Sequence, residues 1–131
     1  MVQSPPVLFQ LLKMNSEIKK LWLAALRGQS PKKYKQGAGG LRNLSDEYCC
    51  LGVLCDVVDP EGWARVESWP DWPNWLHRDA HGVLSEEVYK KAGLLVPNPY
   101  VRINGLVETL AYHNDAGNSF EVIAKAIEEQ L

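Results

Sequence analysis

The chain has 131 residues, 46% of them hydrophobic and 23% charged, with a net charge of −2, which is the profile of one globular domain with a sizeable core. That balance excludes a protein coated in basic surface for duplex nucleic acid, and no stretch approaches the about 18 apolar residues of a membrane span. Three cysteines, two of them adjacent, make no disulfide framework, so the thiols are expected to be reduced and the protein cytoplasmic.

In chain order, residues 1–13 read as an N-terminal extension packed on the surface. Pro5 and Pro6 interrupt it, it lacks the charged start of a signal peptide, and Met14 is an alternative start. Residues 14–131 read as a single α+β domain of about five helices with a small antiparallel sheet. Ile18, Leu21, Trp22, Ala25 and Leu26 recur at helical spacing behind a Ser16 cap, and Gly28 stops that helix. A second helix is expected over Glu47–Val58, capped by Ser45 or Asp46 and ended by Asp59-Pro60. Its Gly52 costs about 1 kcal/mol against alanine, which calls either for close packing or for room for a ligand or another subunit. Trp63 to Glu67 alternates like a short strand, and Asp79 to Gly82 looks like a turn. Ser85 caps a helix over Glu86–Ala92 that Gly93 ends. Tyr100–Ile103 reads as a strand before an Asn104-Gly105 turn, and helices are expected over Leu106–His113 and Ser119–Gln130.

The stretch Tyr34–Asp56, YKQGAGGLRNLSDEYCCLGVLCD, organises the rest. Lysines 32, 33 and 35 precede three glycines and Arg42, and the chain then enters a compact apolar run. Backbone that approaches closely, cations beside it and free helix N–H groups suit a bound anion. Arg42 can hold a phosphate bidentately, Lys33 and Lys35 add point charge, and Tyr34 can stack on a base. Gln36 and Asn43 add hydrogen-bonding groups, and Trp63 or Trp69 offers a stacking wall. The alternative is a connector whose lysines face water. The four tryptophans 63, 69, 72 and 75 likewise read as a base-stacking platform or as core and interface anchors.

Catalytic chemistry is not indicated. Cys49, Cys50 and Cys55 diverge on a helix and lack zinc spacing, so core packing is expected and neither a metal nor a cofactor. His77, His81 and His113 sit in unrelated contexts and are expected at the surface or in caps. A Cys–His or carboxylate site assembled in space remains a third alternative. Leu110 to Ile127, LAYHNDAGNSFEVIAKAI, resembles the first two helices of a helix-turn-helix. Leu131 follows directly, leaving no recognition helix, so a generic helical hairpin is expected.

KYKQGAGGLRN, YCCLGVLCDV, LSEEVYKKAGL and LAYHNDAGNSFEVIAKAIE, in this order, resemble a family of small uncharacterised bacteriophage and prophage proteins. CCLGVLCD is the most specific element, beside the C-terminal NDxGxSFxxIA hairpin. The resemblance implies a phage accessory setting, in which small proteins counter host defence, and it carries over no catalytic residues. The expected function is therefore a non-enzymatic, cytoplasmic, homo-oligomeric protein that sequesters a nucleotide-like, phosphate-bearing signal through Lys33, Tyr34, Lys35, Gln36, Arg42, Asn43, Trp63 and Trp69. The alternative is a protein–protein inhibitor of a host defence enzyme anchored on the tryptophans.

Overall fold

The computed structural model describes residues 13–66 and 75–131; the expected extension up to residue 12, Trp69, Trp72 and the end of the predicted strand at Glu67 lie outside them. The described residues form five α-helices and six short strands, an α+β arrangement. No helix among them is long and apolar enough to cross a membrane.

Helix α1 (Ser16–Leu26) buries Trp22, Leu23, Ala25 and Leu26. Its cap is Asn15, one residue before the expected Ser16, with the side-chain oxygen accepting from the Ile18 N–H at 3.0 Å. Helix α2 (Cys50–Val58) is the centre of the core, with every residue from Cys50 to Asp56 buried. It packs against α1, and the Trp22 indole donates to the Cys50 carbonyl at 2.9 Å.

The second helix starts three residues later than its composition implies. Strand β1 (Lys35–Gln36) pairs in parallel with strand β2 (Glu47–Tyr48), and Arg42 bridges to Tyr48 in antiparallel sense. Glu47 and Tyr48 stay extended because the glycine-rich loop doubles back around them and uses their backbone on both sides. The Gly37 N–H donates to Tyr48, and the Asn43 N–H donates to Glu47, both at 2.9 Å. Neither Ser45 nor Asp46 caps the helix. Cys49 holds the cap position without a side-chain bond, and the Cys50 N–H donates instead to the side chain of Asn114 at 3.2 Å.

Of the two expectations for Gly52, close packing holds, and the packed partner is the loop: a Cβ at Gly52 would fall on the Leu41 carbonyl. Leu41 is fully buried there, its N–H donating to His81 at 2.7 Å and its carbonyl accepting from Cys49 at 3.2 Å. The loop that reads as a flexible connector is fastened along its length.

After a 3-10 turn (Pro60–Gly62), strand β3 (Trp63–Arg65) pairs antiparallel with strand β4 (Trp75–His77). Helix α3 (Glu86–Lys91) carries the expected Ser85 cap. Strands β5 (Tyr100–Ile103) and β6 (Leu106–Thr109) form an antiparallel hairpin with Ile103 opposite Leu106. Asn104 and Gly105 both have positive φ, 52° and 80°, as a two-residue hairpin turn requires. That turn commits residues 106–109 to a strand, so the helix expected from Leu106 begins only at Leu110. Thr109 caps it, giving α4 (Leu110–Asp115), and Ser119 caps α5 (Phe120–Gln130). Helix α5 buries Phe120, Ile123, Ala124, Ala126 and Ile127 in the common core.

Two histidines depart from the surface positions expected of them. His77 and His113 are both buried, each with Nε2 against a backbone carbonyl, at 2.7 Å from Asp59 and 3.0 Å from Val101. An imidazole can satisfy a carbonyl inside a core while its ring packs like an aromatic, and spacing along the chain does not reveal that.

The tight seat of Gly52 generates a stability prediction. Because the obstacle is backbone rather than a flexible side chain, Gly52→Ala is expected to cost about 3 kcal/mol or more, the upper end of overpacking penalties. Urea unfolding checks it, and a loss under about 1 kcal/mol would show that the loop yields freely.

Candidate binding site

Helix α2 carries one acidic side chain, Asp56, into a buried position, with 8% of the residue exposed. A carboxylate there must collect donors to stay ionised, and three side chains from two segments supply them. Tyr34 Oη donates to Oδ2 at 2.6 Å and Lys32 Nζ donates to the same oxygen at 2.9 Å. The Trp63 indole donates to Oδ1 at 2.9 Å. Burial pushes the Asp56 carboxyl up, but the bonds from Tyr34, Lys32 and Trp63 outweigh it and hold the group below the usual carboxylate range. Burial and the same carboxylate drive the Tyr34 phenol far above its ordinary value, so it stays a donor.

Aromatic rings and cations alternate outward from this point. The rings of Tyr34 and Tyr48 meet edge to face at 5.1 Å, Tyr48 and Trp63 at 5.9 Å, and Trp63 and Trp75 at 6.3 Å. The Arg42 guanidinium lies 3.8 Å from the Trp75 ring centre and 5.3 Å from those of Tyr48 and Trp63. Its Nε and Nη2 both donate to Asp46 Oδ1, at 3.0 and 2.7 Å. The three rings and one carboxylate fix the cation in position.

Of the expected ligand contacts, the fold brings Tyr34, Arg42 and Trp63 together and disperses the others. Lys33 turns back onto the carbonyls of Gly28 and Ser30, at 2.7 and 3.0 Å. Lys35 pairs with Glu47 at 3.3 Å. Asn43 shapes its own turn, accepting from the N–H groups of Ser45 and Glu47 and donating to the Glu47 side chain. Gln36 points away from the cluster and donates to the Asn114 side chain and the Asn118 carbonyl, at 2.9 and 2.8 Å. Trp69 lies outside the described residues. Sequence reasoning missed Lys32, Tyr48, Asp56 and Trp75 as members of the cluster. Asp56 was the available signal: a lone carboxylate inside an apolar helix implies donors arriving from elsewhere.

Nucleophilic chemistry by the thiols is suppressed. Cys49, Cys50 and Cys55 are buried, and burial pushes Cys49 up to about 11 and the other two well above the ordinary thiol value. No group of three or more histidine, cysteine, aspartate or glutamate side chains suited to a metal ion occurs among the described residues.

In the native state at pH 8 an aromatic disulfide reagent is expected to titrate none of the three thiols, and all three after denaturation. Unfolded thiols ionise near pH about 8.5, whereas folded Cys49 holds its proton to about 11. Stability should therefore fall as pH rises through that window. Separately, loss of the ring stack and the Asp46 bonds should make Arg42→Ala less stable than the parent by about 1–2 kcal/mol. An unchanged melting temperature, the outcome expected of a purely ligand-binding arginine, would show that the contacts of Arg42 contribute nothing to the fold.

No curated protein and no solved structure matches the chain. Residues 14–131 match a family described as Domain of unknown function (DUF8296). That span covers the five helices and six strands of the described residues and the aromatic–cation cluster, and the chain belongs to this family.

Proposed function

We propose that the protein is a non-catalytic binding protein of the phage accessory, anti-defence kind, acting in the host cytoplasm by direct contact with a host enzyme. The observation that supports this reading best is the preorganised wall of Arg42, Trp63 and Trp75. Its guanidinium is seated 3.8 Å from the Trp75 ring centre, and all three residues are half-buried. Tryptophan, tyrosine and arginine dominate interface hot spots because each offers a large contact area and polar donors. Side chains already held by their neighbours lose little further freedom when a partner covers them. The Arg42–Asp46 ion pair adds charge beside the rings.

The sequestration of a nucleotide-like signal has less geometric support. A phosphate group reaching these cations competes with Asp46 at Arg42, with Glu47 at Lys35 and with two carbonyls at Lys33. The resemblance of the CCLGVLCD and NDxGxSFxxIA segments to phage proteins supports the anti-defence setting for either reading.

Affinity capture from a defence-active lysate, followed by native mass spectrometry, tests the proposal. Three forms are compared: the parent, Trp75→Ala, and Leu21→Ser as a control at a well-exposed position outside the cluster. A stoichiometric protein partner is expected with the parent and the control, reduced at least tenfold with Trp75→Ala while circular dichroism stays native. Retention of the partner by Trp75→Ala would overturn the docking face. An intact nucleotide released from the parent, with no protein partner, would replace the proposal by sequestration.

A further inference from the structure

Lys32 occupies a position that a separate cation can take. Its ammonium group lies 5.3 Å from the ring centres of both Tyr34 and Tyr48, and those rings stand at 86° to one another. It donates to Asp56 Oδ2 at 2.9 Å and to the Tyr48 hydroxyl at 3.2 Å. Two electron-rich faces, a buried carboxylate and a hydroxyl acceptor are the elements that recognise an ammonium group. The walls do not depend on Lys32 for their own placement. The Tyr34 hydroxyl and the Trp63 indole hold Asp56 from other directions, and Tyr48 is fixed by its backbone pairing with both Gln36 and Arg42.

The occupant, by contrast, is poorly covered. The Lys32 side chain is 53% exposed, against 7% for that of Asp56. The backbone that carries it is stitched without its ammonium: Ser30 Oγ donates to the Lys32 carbonyl at 2.6 Å, and Lys33 closes the turn onto Gly28 and Ser30. The side chain can therefore swing into solvent about its own rotatable bonds while the loop stays in place. A lysine stem is flexible and its released ammonium is well hydrated, while Asp56 keeps the donors of Tyr34 and Trp63 and an incoming amine restores the third.

We infer that Tyr34, Tyr48 and Asp56 form a binding cage for a primary alkylammonium group, which the chain's own Lys32 closes until a competing amine replaces it. The two acceptors that Lys32 now uses favour a primary amine, with N–H donors, over a quaternary one. Such a group comes either from a lysine side chain of another protein or from a free alkylamine. Lys32 competes intramolecularly, so an external amine meets a high effective concentration of the internal one. The inference does not rest on the docking face, because none of the three cage residues belongs to the Arg42–Trp63–Trp75 wall.

Removing the internal competitor tests it. The parent, Lys32→Ala and the double variant Lys32→Ala/Asp56→Asn are titrated with n-butylammonium chloride, and sodium chloride serves as the ionic-strength control. The NMR signal of the Trp63 indole N–H, which is bonded to Asp56, reports occupancy. Saturable binding is expected for Lys32→Ala, at least tenfold tighter than for the parent, and absent in the double variant. Tetramethylammonium, which has no N–H donor, should bind the vacated cage more weakly than butylammonium. A lysine amide blocked at its α-amine identifies the source: preference over butylammonium points to a partner's lysine, and the reverse order points to a free amine. No saturable response in folded Lys32→Ala, or equal binding by the double variant, would overturn the inference. Lys32→Ser provides a second vacated form, and failure of both variants to fold would also overturn it by making Lys32 an indispensable part of the fold.

Discussion

The position of the Asp56 carboxylate constrains much of this protein. A charge carried into the core by an apolar helix loses its hydration, at an effective cost of several kcal/mol, and the chain offsets this with donors from outside the helix. Those donors lie at Lys32, Tyr34 and Trp63, on the entry to the glycine-rich loop and on the first strand of the tryptophan-rich hairpin. One buried charge thereby fixes two segments against α2. The aromatic rings that accompany the donors then stack on one another and on Arg42, extending the fixed region outward to the surface.

At the opposite end of α2 a single amide plays the corresponding part. The Asn114 side chain accepts from the Cys50 N–H at 3.2 Å and from Gln36 at 2.9 Å, and donates to the Gly37 carbonyl at 2.7 Å. It satisfies the first free N–H of the helix where no local cap exists, and it ties the C-terminal helical hairpin to the loop. Between the two ends, Gly52 allows the Leu41 backbone to lie directly on the helix. The glycine-rich segment is thus held at its entry, its middle and its return, which explains how a stretch with few apolar side chains adopts a defined path.

This fastening changes what the basic residues can do. A lysine or arginine in a solvated loop is available to any anion, whereas Arg42 and Lys33 commit part of their donors to groups within the chain, and Lys35 pairs with Glu47. The rings gain in exchange a fixed orientation, which suits recognition by contact area rather than by charge capture. Lys32 is the exception in that its ammonium serves a well-built pocket from a well-exposed stem. That combination makes it exchangeable in a way that Arg42, gripped between rings, is not.

The sequence by itself determined the fold class and most element positions, because helical spacing, the Ser85 and Ser119 caps, the Asn104-Gly105 turn and the Pro and Gly stops act over a few residues. It also determined that the cysteines pack in the core, since an apolar run with no local base leaves them little else. Tertiary structure alone decided the rest. Whether Glu47–Tyr48 is helix or strand depends on a loop that folds back on it, and Leu106–Thr109 becomes a strand because its partner lies across a turn. The burial of His77 and His113 depends on carbonyls at Asp59 and Val101 that spacing cannot place. The site was half legible: Tyr34, Arg42 and Trp63 stand out by residue type, yet their mutual geometry and the roles of Lys32, Tyr48 and Trp75 follow from Asp56. Local pattern reports what a residue prefers. Desolvation of one carboxylate, felt across 24 residues to Lys32, is a long-range energy that only the folded chain resolves.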